Sequence, residues 1–568
     1  MVGVGRAARR WSGSANEIPG MPGGPIRARG EGGEPAEGEA RNLRSRAGGR
    51  LVVASLSASC FCRAKTEARK DDSRFALASR PSGAGPHRRT YAADRGRGQP
   101  TVYSGQNAGA FADRTTSIAP VRPVRIKDTL SGELVELERG PVGIYACGPT
   151  VYSPIHVGNA RPYVLFMLLR RFLAAASYEP KLVVNVTDIN DKIYAAAREA
   201  DVGSAELAAE MTRRYVEDTD RLGLGRPDVE PLASATIAGI IELIAALIER
   251  GHAYESGGDV YFRVRSYPDY GRLSNRDPDD MDQGEEAGTA SLKEDRLDFA
   301  LWKGRKPDED SWWESPWGPG RPGWHIECSA MAEKELGAPV TIHGGGVDLV
   351  FPHHENEDAQ TVGAGSGPLA RIWMHNGMVL AGPEAKMAKS EGNVFQLSEA
   401  VDRYGPEAVI DFLISGHYRQ PLSFGTEALE RAKARNERVR DFFRSAQRVD
   451  GDADPVASER REAFLDALAE DFNTARAMAE LYELVAEGNR RPLRGAHAAL
   501  EEMLELVGLG ALARAEAAAD PEAERLARER EEARAARDFE RADRLRDEIA
   551  ALGFAVRDTP DGPQLVPR

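Results

Sequence analysis

Apolar residues fall into regular patterns only from about Val121 onward. Val142-Gly143-Ile144-Tyr145-Ala146-Cys147-Gly148-Pro149-Thr150 reads as a buried strand ending in a turn. Residues 162–173 are apolar on nearly every face, which predicts a buried helix with Pro162 tolerated in its first turn. Lys181–Val186 is a second β-branched run, and it ends at Thr187-Asp188-Ile189-Asn190-Asp191-Lys192. Strand, helix and strand in this order predict a right-handed parallel unit. Its ligand belongs beyond the carboxyl ends of the strands, where His156 and Thr187 fall. Residues 204–250 carry a helical period up to Gly251, whereas 252–325 are acidic, rich in Pro, Gly and Trp, and read as an irregular inserted subdomain. Strand patterns return at Val340–His343 and Ile372–Leu380. After Lys389 the chain is nearly all helical, with amphipathic runs at 426–447, 458–487 and 521–552. The fold class this predicts is α/β: a Rossmann-type parallel-sheet domain interrupted by an insertion, then an α-helical bundle and a small C-terminal domain.

Length and composition narrow the picture. A chain of 568 residues is too long for one core. A hydrophobic content of 41% with 29% charged residues fits a globular protein, and no apolar run is long enough to span a bilayer. Four cysteines (Cys60, Cys62, Cys147, Cys328) are too few and too scattered for a disulfide framework, so a reducing, cytoplasmic compartment is expected. The net charge of −14 argues against a general nucleic-acid coat protein but leaves room for recognition of one shaped RNA through local basic patches. Charge is partitioned by segment. Residues 1–120 are net basic, Gly-, Arg-, Ser- and Pro-rich, without an apolar period, and read as a disordered extension. A transit peptide, a basic tail for RNA and a start placed too far upstream all fit that composition, although Glu31–Glu39 counts against the first.

Three constellations carry candidate chemistry. His156-Val157-Gly158-Asn159 sits where a strand hands over to a helix, so amide N–H groups and the positive helix end meet an imidazole there. A triphosphate would gain charge-assisted hydrogen bonds at that point, with Gly158 offering bare backbone. A helix-capping histidine is the competing explanation. Far downstream, Lys386 and Lys389 stand three apart in a loop flanked by Gly382 and Pro383, in a chain that otherwise prefers arginine. A lysine is a mobile point charge suited to a departing pyrophosphate. The third constellation resembles a metal site. His353 and Glu357 are i and i+4 where Phe351-Pro352-His353-His354-Glu355-Asn356-Glu357 opens a helix, so both side chains face one way. The other candidate donors are Cys147 and Cys328, the two cysteines of the folded part. Their spacing proves nothing, and either alone reads equally as a buried small hydrophobe.

Together these residues resemble the cysteinyl-tRNA synthetase family of class I aminoacyl-tRNA synthetases. The resemblance runs from about Val124 to near the C-terminus and rests on Tyr145–Tyr152, Pro154–Arg161, Asn185–Lys192, Arg321–Met331, His343–Gln360 and Lys386–Ser390. It implies one zinc ion held by Cys147, Cys328, His353 and Glu357. It also implies an ATP site, with Mg2+, formed by Pro149, Thr150, His156, Gly158, Asn159, Lys386, Lys389 and Ser390; His156, Asn159, Lys386 and Lys389 are the catalytic group. The cysteine pocket falls on Gly148, Thr187, Trp324 and Asp348. Asn159 stands where many relatives carry a second His, Ala388 replaces the usual Ser of the lysine loop, and the closing segment Thr559–Leu565 lacks the family's aromatic.

The resemblance implies this organisation: an extension at 1–120, the first catalytic half at 121–225, the connective insertion at 226–330, the second catalytic half at 331–380, the lysine-loop junction at 381–425, the bundle at 426–515 and a C-terminal anticodon-binding domain at 516–568. The expected activity is ATP-dependent ligation of L-cysteine to tRNA(Cys) through cysteinyl-adenylate, by a monomer, with zinc selecting the substrate thiolate over serine. Two alternatives share much of the sequence: a cysteine ligase acting on an amino-sugar in thiol synthesis, and a non-catalytic nucleotide or RNA sensor. The first ends soon after the lysine loop, and the second would be expected to lose His156, Lys389 or a zinc ligand, none of which is lost. A metalloprotease lacks support because no second His follows at the required spacing.

Overall fold

The computed structural model describes residues 122–281, 290–381, 395–449, 451–514, 521–559 and 562–567. Its centre is a four-stranded parallel sheet in the order Ala370–Asn376, Val340–Gly346, Pro141–Ala146, Glu179–Val184. The chain leaves Pro141–Ala146 toward one edge and returns on its other side some 200 residues later. The crevice between Pro141–Ala146 and Val340–Gly346 is therefore the point where the strand order reverses, the place where such sheets bind ligands. Cys147 and Gly346–Leu349 lie at the carboxyl ends of those two strands.

The helix expected at 162–173 runs from Val157 to Ala175, so Pro162 lies in its second turn and not its first. Early initiation follows from a reciprocal cap. His156 Nδ1 accepts from the Asn159 amide at 3.3 Å, and Asn159 Oδ1 accepts from the His156 amide at 3.2 Å. Pro162 removes one N–H from the ladder, a loss that packing offsets because most of the helix is buried between the sheet and the bundle.

The helical stretch expected at 204–250 is two helices, Ser204–Asp220 and Ile237–Glu249. Between them Gly223 and Gly225 adopt positive φ of 68° and 82°, and the chain then runs along Glu179–Val184, with Val184 N–H donating to Val229 O and Val186 N–H to Pro231 O. The connector thereby covers a sheet edge. The insertion is also more regular than its composition predicts. Ala253–Ser256, Asp259–Phe262, Phe299–Gly304 and Gly320–Pro322 form an antiparallel sheet whose Val260, Phe262, Phe299 and Leu301 pack with Ile240, Ile244 and Leu247. Strands of three to six residues within a Gly- and Pro-rich segment leave too little period to read locally.

The run at 458–487 is broken into Pro455–Ala469 and Thr474–Arg490. At the break Asp471 and Phe472 take left-handed φ of 58° and 43°, conformations held in place by tertiary contacts. The Asp471 carboxylate accepts from Lys127 N–H at 3.0 Å and Tyr418 O–H at 2.8 Å, and pairs with Arg419, while Phe472 packs on Phe172. The bundle is thus locked to the sheet domain. The last run is likewise two helices, Pro521–Ala535 and Phe539–Ala551, turning at Arg537 (φ 58°), followed by the hairpin Phe554–Thr559/Gly562–Pro567 with a small core of its own.

Candidate metal and nucleotide site

Cys147 continues the central strand, its N–H donating to Gly344 O at 2.9 Å. The next residue has to be glycine: a Cβ at Gly148 would lie 1.7 Å from the Asn185 carbonyl oxygen, whereas its N–H bonds the Asn185 side chain at 2.9 Å. This close approach fixes where the Cys147 sulfur points. Opposite it, Phe351 is extended (φ −138°, ψ 134°) and kinks the segment before helix Glu355–Ala364, in which both His353 and His354 are buried.

Glu357 lies 2.5 Å from His353 Nε2 and 2.8 Å from His343 Nε2, with all three side chains buried. Cys147 Sγ is 3.3 Å from His354 Nε2, 3.6 Å from Glu357 Oε1 and 3.7 Å from His343 Nε2. One donor atom from each of Cys147, His353, His354 and Glu357 falls within 4.8 Å of the others. Cys328, on helix Trp324–Leu336, joins this group through contacts of its thiol with Cys147 and His353.

Electrostatics favour a cation here. Burial opposes ionisation of Glu357, but the adjacent His353 and His343 rings overcome it and hold the carboxyl well below the carboxylate range. Burial pushes the Cys147 thiol well up, whereas its hydrogen bond to Cys328 draws the Cys328 thiol down to about 6 against burial. Burial also works against a charged His353, yet Glu357 and Cys328 raise it to about 10. A divalent ion that displaced the His353 proton would face the two anions, Glu357 and the Cys328 thiolate, whose charge matches its own. Two soft sulfurs and a borderline imidazole, with a carboxylate oxygen that zinc also accepts, suit zinc.

Of the expected ligands, Cys147, His353 and Glu357 come together directly, with Cys328 beside them. His354 was not anticipated, because an i, i+4 argument excludes the residue next to His353; the His-His pair was its one sequence signal. His354 is braced from behind, its Nδ1 2.7 Å from His375 Nε2, whose Nδ1 is 2.8 Å from Thr129 Oγ1. Burial holds the His354 ring well below its ordinary value and lowers His375 to about 3, so both are neutral at neutral pH. His343 and His325 were also missed. His325 Nδ1 lies 2.9 Å from His353 Nδ1.

Among the residues expected to form the cysteine pocket, Trp324 stacks on His353 at 4.2 Å between ring centres. Thr187 is buried, accepting from Asn185 Nδ2 at 3.2 Å, and Asp348 is exposed in the turn that follows Val340–Gly346. Pro149 and Thr150 extend the sheet by pairing with Thr187, whose N–H donates to Pro149 O at 3.1 Å.

At the expected nucleotide end, His156 does cap the helix, through Nδ1, which leaves that cap independent of Nε2. Gly158 has a local reason to be glycine: a Cβ there would touch the His156 ring at 2.9 Å. Lys386, Lys389 and Ser390 lie outside the described residues. The segments on either side of them both reach the start of the His156 helix. On one side Arg161, buried, donates to the carbonyls of Gly377 and Met378. On the other, Val157 N–H donates to Phe395 O at 3.0 Å and Leu397 N–H to Ile155 O at 3.1 Å.

Among the described residues, no helix is long and apolar enough to cross a membrane. Residues 133–434 match the family model for the class I (C) tRNA synthetase catalytic domain, 463–511 the DALR domain, and 516–565 the cysteinyl-tRNA ligase anticodon binding domain. A cysteine–tRNA ligase of Symbiobacterium thermophilum is 44% identical over 453 residues, covering 76% of this chain and 96% of that protein. One from Rubrobacter xylanophilus is 45% identical over 469 residues, covering 78% and 99%. Among solved structures, Mycobacterium tuberculosis methionyl-tRNA synthetase in complex with methionyl-adenylate aligns with a TM-score of 0.49 at 16% identity, over 66% of this chain and 90% of that one. With its catalytic model spanning more than half the sequence and near-full-length relatives above 40% identity, the chain belongs to the cysteinyl-tRNA synthetase family of class I aminoacyl-tRNA synthetases.

Proposed function

We propose that this protein charges tRNA(Cys) with L-cysteine in two steps, as a monomer. A carboxylate oxygen of cysteine attacks the α-phosphorus of Mg-ATP, forming the acyl–phosphate bond of cysteinyl-adenylate as the bond to pyrophosphate breaks. The ribose 2′-hydroxyl at the tRNA 3′ end then attacks the acyl carbon, AMP departs with the bonding electrons, and the hydroxyl proton passes to solvent. The observation that carries this reading is the buried sulfur, imidazole and carboxylate cluster at the point where the sheet order reverses, in a chain of this family.

Cys147, Cys328, His353 and Glu357 would hold the zinc, with His354 donating from behind to the Cys147 sulfur. Neutral His354, fixed by His375 at 2.7 Å, suits that supporting role. Zinc bound there would supply affinity for a thiolate, a chemical difference that distinguishes cysteine from the nearly isosteric serine far better than shape does. Trp324, stacked on His353, closes one side of the pocket. Gly148 and Thr187 line the strand ends, and Asp348 stands at the rim to meet the substrate ammonium.

His156, Asn159, Lys386 and Lys389 would stabilise charge on the transferring and leaving phosphates, with Pro149, Thr150, Gly158 and Ser390 framing the nucleotide. Support comes from the two segments that bracket residues 382–394. Both are tied to the start of the His156 helix. Positioning and electrostatics carry this chemistry without an assigned general base.

The test is transfer of radiolabelled cysteine to unfractionated tRNA in the presence of ATP. RNase-sensitive, acid-precipitable counts with cysteine and none with serine are expected. Cysteine-dependent pyrophosphate exchange without tRNA charging would move the acceptor elsewhere, and silence in both assays would overturn the proposal.

A further inference from the structure

Helix Glu355–Ala364 carries Glu357 on its sheet side, but its neighbouring residues are committed elsewhere. The buried Glu355 carboxylate accepts three backbone N–H groups of one insertion loop: Gly271 at 2.8 Å and Leu273 at 3.4 Å on Oε1, and Ser274 at 2.7 Å on Oε2. The next residue, Asn356, accepts from the Tyr270 hydroxyl, and Asp358 accepts from the Tyr267 hydroxyl at 3.3 Å. Arg276, just beyond the loop, lies over the Phe351 ring at 4.5 Å, two residues before His353. The loop therefore grips the helix through Glu355, Asn356 and Asp358, flanking Glu357 on both sides, and grips the turn that precedes it. A second path runs through packing: Tyr270 stacks near Phe299, Phe299 meets the edge of His325, and His325 contacts His353.

A carboxylate removed from water is kept only where its acceptors are used, and three backbone donors on one carboxylate form a stiff joint. The helix end it holds presents His353 and Glu357, whose mutual placement decides whether four donors converge. We propose that Glu355 is a positioning residue through which loop Tyr267–Ser274 of the insertion sets the geometry of the His353–Glu357 pair, making the insertion part of the amino-acid selecting apparatus. Both consequences rest on the function proposed above, the metal consequence on its zinc site alone and the cysteine consequence on its substrate as well.

The test uses the full-length, zinc-loaded protein and Glu355→Gln. A glutamine offers one acceptor oxygen and turns an NH2 toward backbone donors, so it cannot hold both Gly271 and Ser274. Asp411→Asn is the control, since Asp411 pairs with Arg435 at 2.9 Å within the helical region. Zinc affinity by chelator competition, the KM values for cysteine and ATP in pyrophosphate exchange, and Tm are measured on each. Glu355→Gln is expected to weaken zinc and raise the cysteine KM each by about tenfold, as loss of an outer support does, with the ATP KM unchanged. Asp411→Asn is expected to lower Tm alone. Unchanged zinc affinity and cysteine KM in Glu355→Gln, or equal changes in Asp411→Asn, would overturn the proposal. Should Glu355→Gln not fold, Tyr270→Phe removes only the hydroxyl grip on Asn356 and is expected to shift both quantities in the same direction by a smaller factor; wild-type values there would overturn it. A wild-type protein without cysteine-dependent exchange would sink the proposed function, while zinc affinity would still decide the role of Glu355.

Discussion

The metal end and the nucleotide end of the site are built in opposite ways. At the metal end every donor is buried and braced: Glu357 between His353 and His343, and His354 between Cys147 and His375, which Thr129 holds in turn. At the nucleotide end the fixed element is a helix cap made by His156 and the exposed Asn159, to which the described flanks of residues 382–394 are tied. The difference follows the chemistry each end would perform. Discriminating one sulfur from one oxygen requires donors that do not relax, since converging charges in a dry pocket are strong only if their geometry is kept. Following a phosphate chain as it breaks requires cations that travel with it, which a buried and braced lysine could not do.

If the metal end depends on buried charge pairing, Glu357→Gln should have the largest effect. Breaking such a pair costs about 3–5 kcal/mol, so zinc affinity should fall by about three orders of magnitude, measurable by chelator competition. Near wild-type affinity would mean that the carboxylate is no ligand. At the other end, Lys389→Ala should cut the adenylation rate by about 10²–10³-fold, as removal of one preorganised charge does, while leaving the cysteine KM close to wild type. A parallel loss of cysteine affinity would show that the two ends are not separate. Whether His354 or Cys328 completes the metal shell is settled by comparing two variants in the cobalt-substituted protein. His354→Gln should weaken metal binding by about 10–100-fold and keep the sulfur-to-metal absorption, whereas Cys328→Ser should diminish that absorption. Unchanged absorption in Cys328→Ser, with metal affinity lost in His354→Gln, would place His354 and not Cys328 in the shell.

The smallest effect separates the two roles of His156. His156→Ala should lose the cap and about 1 kcal/mol of stability as well as activity. His156→Asn should restore the cap, since asparagine is a favoured N-cap residue, and hence Tm, but not the adenylation rate. Full recovery of activity in His156→Asn would reduce the imidazole to a cap.

What could be read from sequence was whatever is encoded locally. Apolar runs such as Leu182–Val184 and Ile372–Met374 place the central strands Pro141–Ala146, Glu179–Val184, Val340–Gly346 and Ala370–Asn376, but the strand expected at Ile372–Leu380 ends at Asn376, and Val379–Leu380 pairs instead with Leu422–Ser423. His353 and Glu357 meet because an i, i+4 spacing on a helix turn is a local distance. The resemblance through Cys147 and Cys328 named two donors that spacing could not join. The misjudged elements are those whose form depends on distant partners. The helix break at Asp471 is stabilised by Lys127, Tyr418 and Arg419; the connector at 221–236 is shaped by the sheet edge it covers; and the strands of the insertion find their partners only across Gly- and Pro-rich loops.

The histidines mark the same boundary. The sequence by itself determined a parallel α/β core, an inserted segment and a helical C-terminal region, because periodicity and short spacings are properties of neighbouring residues; the candidate metal and phosphate ligands it offered came together as one set only through the family resemblance. Only the tertiary structure decided that His343, His354 and His375 surround the metal donors, and that Glu355 ties the insertion to their helix. Those arrangements join segments up to about 250 residues apart, from Thr129 to His375, and a hydrogen bond across such a separation exists only once the chain has folded around it.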